Sequence, residues 1–161
     1  MNRQKLNQYW PLIALILVAM LGAIALAHGT GRKFFSGMHI FMGLFFCQFA
    51  MLKLFHPSGF AEGFEKYDLL AKRSKNYALA YPFIELGLGL SYLSFINPFA
   101  VYSFTIVLMG VGAIGVIKAL REGLEVRCAC MGTVLDVPLS TVTLTEDLGM
   151  GLMALFMLWA I

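Results

Sequence analysis

Long apolar stretches separated by short polar segments dominate the pattern of this chain. Five of them approach or reach the roughly 20 residues that a helix needs to cross the hydrocarbon core of a bilayer. They cover residues 11–27, 37–55, 77–96, 99–120 and 143–161. We therefore predict an all-α fold, a polytopic transmembrane helix bundle with about five spans. A single integral membrane domain is expected over residues 1–161.

Two polar segments carry further structural signals. Residues 60–76 are rich in charge, and Phe60, Phe64 and Tyr67 recur on one side at helical spacing. This pattern predicts a short amphipathic helix lying in the membrane interface. Thr143 followed by Glu146 has the spacing of a capping box, which predicts that the last helix opens at Thr143.

The composition agrees with a membrane protein. Hydrophobic residues make up 60% of the chain and charged residues only 13%, whereas a soluble domain carries about 25% charged residues. The basic residues are scattered at helix ends without interleaved aromatic residues, so no nucleic-acid partner is expected. The expected partner is the lipid bilayer. Three cysteines do not form a disulfide framework.

The distribution of basic residues predicts the orientation of the bundle. In the five-span arrangement, ten of the twelve Lys and Arg residues fall on one side, and only Arg32 and Lys33 fall on the other. Loops rich in Lys and Arg remain in the cytoplasm. We therefore predict a multi-pass protein of a bacterial-type inner membrane, with a cytoplasmic N-terminus and a cytoplasmic segment between the fourth and fifth spans.

That segment carries the chief candidates for chemistry, Cys128 and Cys130. Arg127 would favour the thiolate form, which is the reactive form of cysteine, and Gly132 would let the backbone turn sharply. Two thiols at this spacing can exchange a disulfide with another thiol pair or bind a soft metal ion such as Cu(I) or Zn(II). They can also be incidental, since free cysteine packs as a small hydrophobic residue.

Glu85 is the second candidate because it falls near the middle of the third span. An ionisable residue at that depth is a functional hypothesis by default, although a neutral carboxyl bonded to a neighbouring helix is the structural alternative. We expect a polar partner from another helix, with His39 as the best candidate. Lys53, at the end of the second span, is expected to extend toward the interface.

The second span also holds the potential soft metal ligands His39, Met42 and Cys47. Imidazole, thioether and thiol groups all suit Cu(I). Methionine at helical spacing is more commonly a packing residue, which fills irregular gaps in a core. Together with Cys128 and Cys130, these three residues complete the candidate metal ligands.

Two stretches of the chain resemble the MauE/DoxX group of small membrane proteins. The first runs from Lys53-Leu-Phe-His-Pro through residues 67–71 to Pro82-Phe-Ile-Glu85. The second comprises Cys128-Ala-Cys130-Met-Gly132 and residues 138–141. The resemblance implies a DoxX-like core of about four helices, to which the present chain adds one more. The MauE branch carries a Cys-x-Cys-x-Gly loop and is regarded as redox-associated, working with thioredoxin-like partners.

The Cys-Ala-Cys-Met-Gly-Thr form is most similar to a sub-branch often fused to a heavy-metal-associated domain, which implies copper handling or tolerance. Residues 1–10 contain no cysteine. A metal donor is therefore expected to be a separate soluble metallochaperone or heavy-metal-associated domain protein. The resemblance assigns the thiol role to Cys128 and Cys130 and the intramembrane acid to Glu85.

The favoured hypothesis is that the dithiol binds or translocates a soft metal ion, most notably Cu(I), so that the protein is a metal-binding or transport protein rather than an enzyme. The competing hypothesis is a MauE-like thiol–disulfide oxidoreductase with a thioredoxin-like partner. A third is a structural subunit whose thiols are incidental. The sequence shows no sign of an organic cofactor.

Overall fold

A computed structural model describes residues 3–29, 34–123 and 139–160, with side chains described over 10–29, 35–123 and 143–160. Six helices form the described part, which contains no strand, and the predicted all-α fold is confirmed. The helices are α1 (Arg3–Gly29), α2 (Phe34–Leu54), α3 (Pro57–Phe64), α4 (Lys75–Leu93), α5 (Pro98–Arg121) and α6 (Leu139–Trp159).

The long helices pack as antiparallel neighbours. The main contacts join α5 to α6, α2 to α4 and α1 to α2. Within the described residues, three stretches are long and apolar enough to cross a membrane, namely Trp10–Gly29, Phe35–Leu54 and Pro98–Arg121. Helices α4 and α6 each bury a carboxyl inside the bundle. The total of five spans stays a prediction.

Helix α1 lies at the edge of the bundle. Ala19 and Ala23 are buried, and a side chain at Gly22 would lie 3.0 Å from the Leu44 side chain of α2. The remaining apolar surface of α1, including Val18 and Leu21, is exposed. Such a surface suits lipid. Helix α1 is therefore the addition to the core that α2, α4, α5 and α6 form.

Helices α2 and α4 approach closely at two glycines. A Cβ atom built at Gly43 would lie 3.0 Å from the Gly89 carbonyl oxygen, and one at Gly89 would lie 2.7 Å from the Cys47 sulfur. Small residues at such crossings let two backbones meet, which is the usual way that helices associate in a membrane. This crossing determines which faces of α2 and α4 contact each other.

The amphipathic segment predicted over residues 60–76 differs from the structure in length and in what it contacts. The helix α3 has eight residues, and turns follow it up to α4. Phe60 and Phe64 are buried, with ring centroids 6.0 and 4.5 Å from that of Tyr81 on α4. The apolar side of the segment therefore packs on protein, because α4 offers an aromatic surface that buries the same rings.

The start predicted for the last helix is wrong. Helix α6 begins at Leu139, one turn before Thr143, so Thr143 and Glu146 lie inside the helix rather than at its cap. Pro138 directly precedes Leu139, and proline is favoured at the start of a helix. That signal identifies the start better than the capping-box spacing does. The earlier start places residue 147 about two turns inside α6.

Candidate functional site

A buried ion pair joins α2 to α4. The Lys53 Nζ atom donates hydrogen bonds to Oε1 and Oε2 of Glu85 at 2.7 and 2.6 Å. The two side chains are only 3% and 1% exposed. Burial of two charges is expensive, and close geometry with two hydrogen bonds is what makes it tolerable. Lys53 therefore fixes the position of the Glu85 carboxyl inside the bundle.

The prediction that Lys53 extends toward the interface is wrong. Its ammonium group lies 5.6 Å from the ring centroid of Phe60 and 5.1 Å from that of Tyr81. The negative face of an aromatic ring attracts a cation. Helix α3 follows directly after α2 and brings Phe60 over Lys53, so the side chain turns inward.

The expected pairing of Glu85 with His39 is wrong as well. Residues 39 and 53 lie about 21 Å apart along α2, and Glu85 faces the Lys53 end. His39 donates through Nδ1–H to the Tyr92 carbonyl oxygen at 2.7 Å. Helical periodicity gives the depth of Glu85 but not the residue that the crossing of α2 and α4 brings opposite it.

Asp147 of α6 is a third buried charged group and was missed in the sequence. It is 7% exposed, and Lys53, Glu85 and Asp68 all act on it electrostatically. A Cβ atom at Gly112 of α5 would lie 2.8 Å from the Asp147 Oδ2 atom. The missing side chain at position 112 thus makes the room that the carboxyl occupies. We call Lys53, Glu85 and Asp147 the charged centre.

Asp68 lies beside the charged centre, in the turns between α3 and α4. Its Oδ1 atom accepts hydrogen bonds from the backbone amides of Leu70 and Ala71 at 2.9 and 2.8 Å. Burial raises the pKa of the Asp68 carboxyl above its usual value, and these two hydrogen bonds act in the opposite direction. A Cβ atom at Gly115 would lie 2.8 Å from the Tyr67 carbonyl oxygen, so this turn also packs against α5.

One cavity adjoins the charged centre, and a second cavity lies beyond Glu146. The inner one measures about 10 Å³, which is the space of about one water molecule. The outer one is an apolar cleft of about 340 Å³ between α1, α2 and α6, lined by residues such as Phe45 and Met150. Glu146 borders both cavities. The inner cavity is lined by Lys53, Phe60, Phe64, Tyr67, Tyr81, Gly112, Thr143, Glu146 and Asp147.

His39 lies in an aromatic site toward the opposite end of α2. The ring of Phe95 stacks on it at a centroid distance of 4.5 Å, and those of Tyr92 and Tyr102 lie at 5.0 and 5.3 Å. Its Nε2 atom has no hydrogen-bond partner among the residues that the structure describes. His39 therefore remains a candidate metal ligand, through this one nitrogen atom.

The other two soft residues of α2 have packing roles. Met42 is fully buried in the hydrophobic core, and the Cys47 sulfur lies in the crossing at Gly89. His39 and Cys47 are separated by about 12 Å along the helix. In the described ranges no three His, Cys, Asp or Glu side chains are arranged to hold a metal ion. A metal role for His39, Met42 and Cys47 stays a prediction.

Cys128 and Cys130 lie outside the described residues. The described helices nevertheless fix where their segment joins the bundle, since α5 ends at Arg121 and α6 begins at Leu139. Lys53 in the last turn of α2 and Asp147 in the first half of α6 lie toward that same end. The charged centre therefore lies toward the end of the bundle at which α5 ends and α6 begins.

Comparison with known proteins gives one match. No curated protein and no solved structure matches significantly. The chain does match the family described as methylamine utilisation protein MauE, over residues 31–160. The match begins after α1, in agreement with the peripheral place of that helix, and it includes the charged centre and both cysteines of the Cys-x-Cys segment. Because it covers most of the chain, this protein belongs to the MauE family, membrane proteins with a redox or thiol–disulfide-related function.

Proposed function

We propose that this protein is a membrane thiol–disulfide redox protein that exchanges a disulfide with a thioredoxin-like partner through Cys128 and Cys130. Membership in the MauE family carries this proposal, because the match extends over both cysteines. The chemistry is suitable. A disulfide between residues i and i+2 is strained, and a strained disulfide is readily reduced by another thiol pair.

The position of the charged centre supports the same function. Thiol–disulfide exchange proceeds through thiolates, so protons must leave and return during each cycle. Lys53 and Asp147 lie toward the end of the bundle at which α5 ends and α6 begins, and the Cys-x-Cys residues fall between these two helices in the sequence. A buried, hydrogen-bonded set of ionisable groups at that end is a suitable neighbour for such a reaction.

A second candidate function, binding or translocation of Cu(I) by the same dithiol, is favoured by the distribution of basic residues. This distribution predicts a cytoplasmic dithiol, and the cytoplasm keeps thiols reduced. Two reduced thiols offer soft ligands to Cu(I). The charged centre gives this alternative no support, because carboxyl and ammonium groups are not the soft ligands that Cu(I) prefers.

Single-cysteine variants distinguish the two functions. We would express Cys128→Ser and Cys130→Ser in a Cys47→Ser background, trap thiols with acid in cells and identify mixed disulfides. The redox function predicts that one variant accumulates an adduct with a thioredoxin-like protein, because the resolving thiol is missing. The Cys47→Ser protein with both loop cysteines is the matched control and should show little adduct.

Metal analysis of the same proteins, purified under reducing conditions, completes the test. The copper function predicts about one Cu(I) per chain in the Cys47→Ser control and loss of copper in each single variant, because a two-sulfur site fails without either ligand. Copper retention without an adduct would replace the redox proposal by the metal proposal. If the proteins show neither bound copper nor an adduct, the thiols are incidental.

A further inference from the structure

Five exposed basic residues lie at the end of the bundle where α4 begins and α5 ends. Lys72 and Arg73 belong to the turns before α4, and Lys75 is the first residue of that helix. Lys118 and Arg121 lie in the last turn of α5. None of the five makes an ion pair with another residue of the described ranges. We call Lys72, Arg73, Lys75, Lys118 and Arg121 the basic surface.

Close packing joins the two halves of the basic surface. A Cβ atom at Gly115 of α5 would lie 2.8 Å from the Tyr67 carbonyl oxygen and 3.2 Å from the Asp68 Cα atom. Lys118 lies one helical turn, or about 4.5 Å, beyond Gly115 along α5. The Lys72 amide donates a hydrogen bond to the Asp68 carbonyl oxygen at 3.2 Å, which places Lys72 one turn from the same contact. Basic residues that are distant in the sequence therefore lie on two segments that touch.

The buried side chain of Asp68 fixes the shape of the turn that carries part of the basic surface. Its Oδ1 atom accepts hydrogen bonds from the backbone amides of Leu70 and Ala71. Asp68 and Ala71 are buried, whereas Leu70 is 47% exposed. Because the inward residues are held in this way, the turn presents Leu70, Lys72 and Arg73 on the outside of the bundle.

Exposed apolar side chains accompany the basic ones. Ile117 and Leu120 of α5 are 37% and 39% exposed. Lys118 directly follows Ile117 in the sequence, and Arg121 directly follows Leu120. Lys and Arg side chains lay their carbon stems along apolar surface and keep the charged group in water. A surface of this kind suits the membrane interface, where acyl chains and charged head groups meet.

The positive charge of the basic surface exceeds the negative charge beside it. The first turn of α4 contains no acidic residue. Glu122, next to Arg121, is exposed and offsets one of the five positive charges. The excess positive charge attracts a negatively charged partner. An acidic phospholipid supplies both a negative head group and acyl chains for the exposed apolar neighbours.

We propose that the basic surface binds the acidic head groups of phospholipids such as phosphatidylglycerol. Clusters of about four to eight Lys and Arg residues beside a membrane-spanning helix bind anionic lipids in this way. The distribution of basic residues predicts that this end of the bundle faces the cytoplasm, so the lipids belong to the cytoplasmic leaflet. This inference goes beyond the proposed function and needs no contribution from the thiols.

Native mass spectrometry of the full-length protein in a neutral detergent measures this binding, because it resolves the first lipid that each protein molecule retains. Phosphatidylglycerol and phosphatidylcholine with identical acyl chains are the two probes. We expect phosphatidylglycerol to bind at least about fivefold more tightly, since one Lys or Arg near the membrane surface contributes about that factor. The preference should weaken at about 1 M salt, where charges are screened beyond about 3 Å.

Two triple variants test whether the charge of the basic surface carries the preference. Lys72→Gln/Lys75→Gln/Lys118→Gln removes three positive charges and should lower the preference for phosphatidylglycerol at least about fivefold. Lys72→Arg/Lys75→Arg/Lys118→Arg changes the same side chains but keeps their charges, and it should bind like the wild type. Thermal unfolding followed by circular dichroism establishes that both variants are folded. If the Gln variant does not fold, Lys72→Gln and Lys118→Gln replace it, and each should show a partial loss.

Three results would overturn the proposal. The first is equal binding of the two lipids by the wild type, and the second is an undiminished preference in the Gln variants. The third is an equal loss in the Arg variant, because the effect would then not depend on charge. Poly-glutamate is the probe for an acidic protein partner. If it binds to the wild type while the two lipids bind equally, the basic surface docks an acidic protein rather than a lipid.

Discussion

At the scale of single residues, the ion pair of Lys53 and Glu85 makes the sharpest prediction. Replacing Glu85 by Gln removes the carboxyl that accepts both hydrogen bonds of the buried Lys53 ammonium group, and breaking a buried pair costs about 3–5 kcal/mol. We expect a loss of that size in the free energy of unfolding. Unfolding in detergent, followed by circular dichroism, measures it.

The control for this prediction is the double variant Lys53→Met/Glu85→Gln, which removes both charges. It should recover much of the lost stability, because an apolar replacement of both partners is often neutral. Glu62→Gln on the surface should change little. If Glu85→Gln were as stable as the wild type, Glu85 would be a neutral acid and the ion pair would not be the stabilising contact.

Sequence reasoning found one member of the charged centre and missed its neighbours, for a physical reason. Glu85 stands out because it is the lone charge in an apolar run, and depth follows from counting along a helix. The contact with Lys53 depends on how α2 and α4 cross and on where α3 turns the chain back. Asp147 is hidden by a wrong helix start, since acids in a first turn are expected to be exposed.

At the scale of elements, the crossing of α2 and α4 depends on a glycine. Gly89→Ala would place a methyl group 2.7 Å from the Cys47 sulfur and 3.0 Å from the Gly43 carbonyl oxygen. Overpacking of this kind costs about 1–3 kcal/mol, which we expect as a lower free energy of unfolding. Gly87→Ala, two residues away with nothing within 4 Å, is the matched control and should be neutral or stabilising. Equal effects of the two variants would show that the helices do not meet at Gly89.

The packing of α3 on α4 gives a second prediction for the elements. Phe64 is 4% exposed and contacts Tyr81, whereas Phe83 on α4 is 61% exposed. Phe64→Ala should lower the free energy of unfolding by about 3–5 kcal/mol, as for other buried aromatic residues. Phe83→Ala should cost far less. Near-equal losses would show that Phe64 does not pack on α4, and would favour the position in the lipid interface that the amphipathic pattern predicts.

The helices differ in how far a hydrophobic pattern alone predicts their place in the structure. The apolar runs of α2 and α5 are long enough to require burial in lipid or protein, so their existence and approximate limits follow from length alone. The pattern of residues 60–76 requires only that Phe60 and Phe64 be buried on one side. Lipid and the aromatic face of α4 both satisfy that requirement, and only the folded chain decides between them.

At the scale of the whole molecule, the distribution of basic residues predicts which side of the membrane holds the charged centre. The burial of Lys53 removes one of the ten basic residues from the predicted cytoplasmic side, and nine against two still favours that orientation. The charged centre then lies in the cytoplasmic half of the bundle, and the aromatic site of His39 lies in the other half. A soluble thiol partner would therefore approach from the cytoplasm.

An impermeant thiol reagent tests this orientation on intact spheroplasts. We expect Cys128 and Cys130 to be labelled only after lysis, because the membrane separates them from the reagent. A Cys128→Ser/Cys130→Ser protein is the control, and its remaining thiol, Cys47, should resist the reagent in both conditions because its sulfur is packed at Gly89. Labelling of the loop cysteines in intact spheroplasts would show that the bundle has the opposite orientation in the membrane. The partner would then have to be an extracytoplasmic thiol protein, and the reducing cytoplasm would no longer favour copper over disulfide exchange.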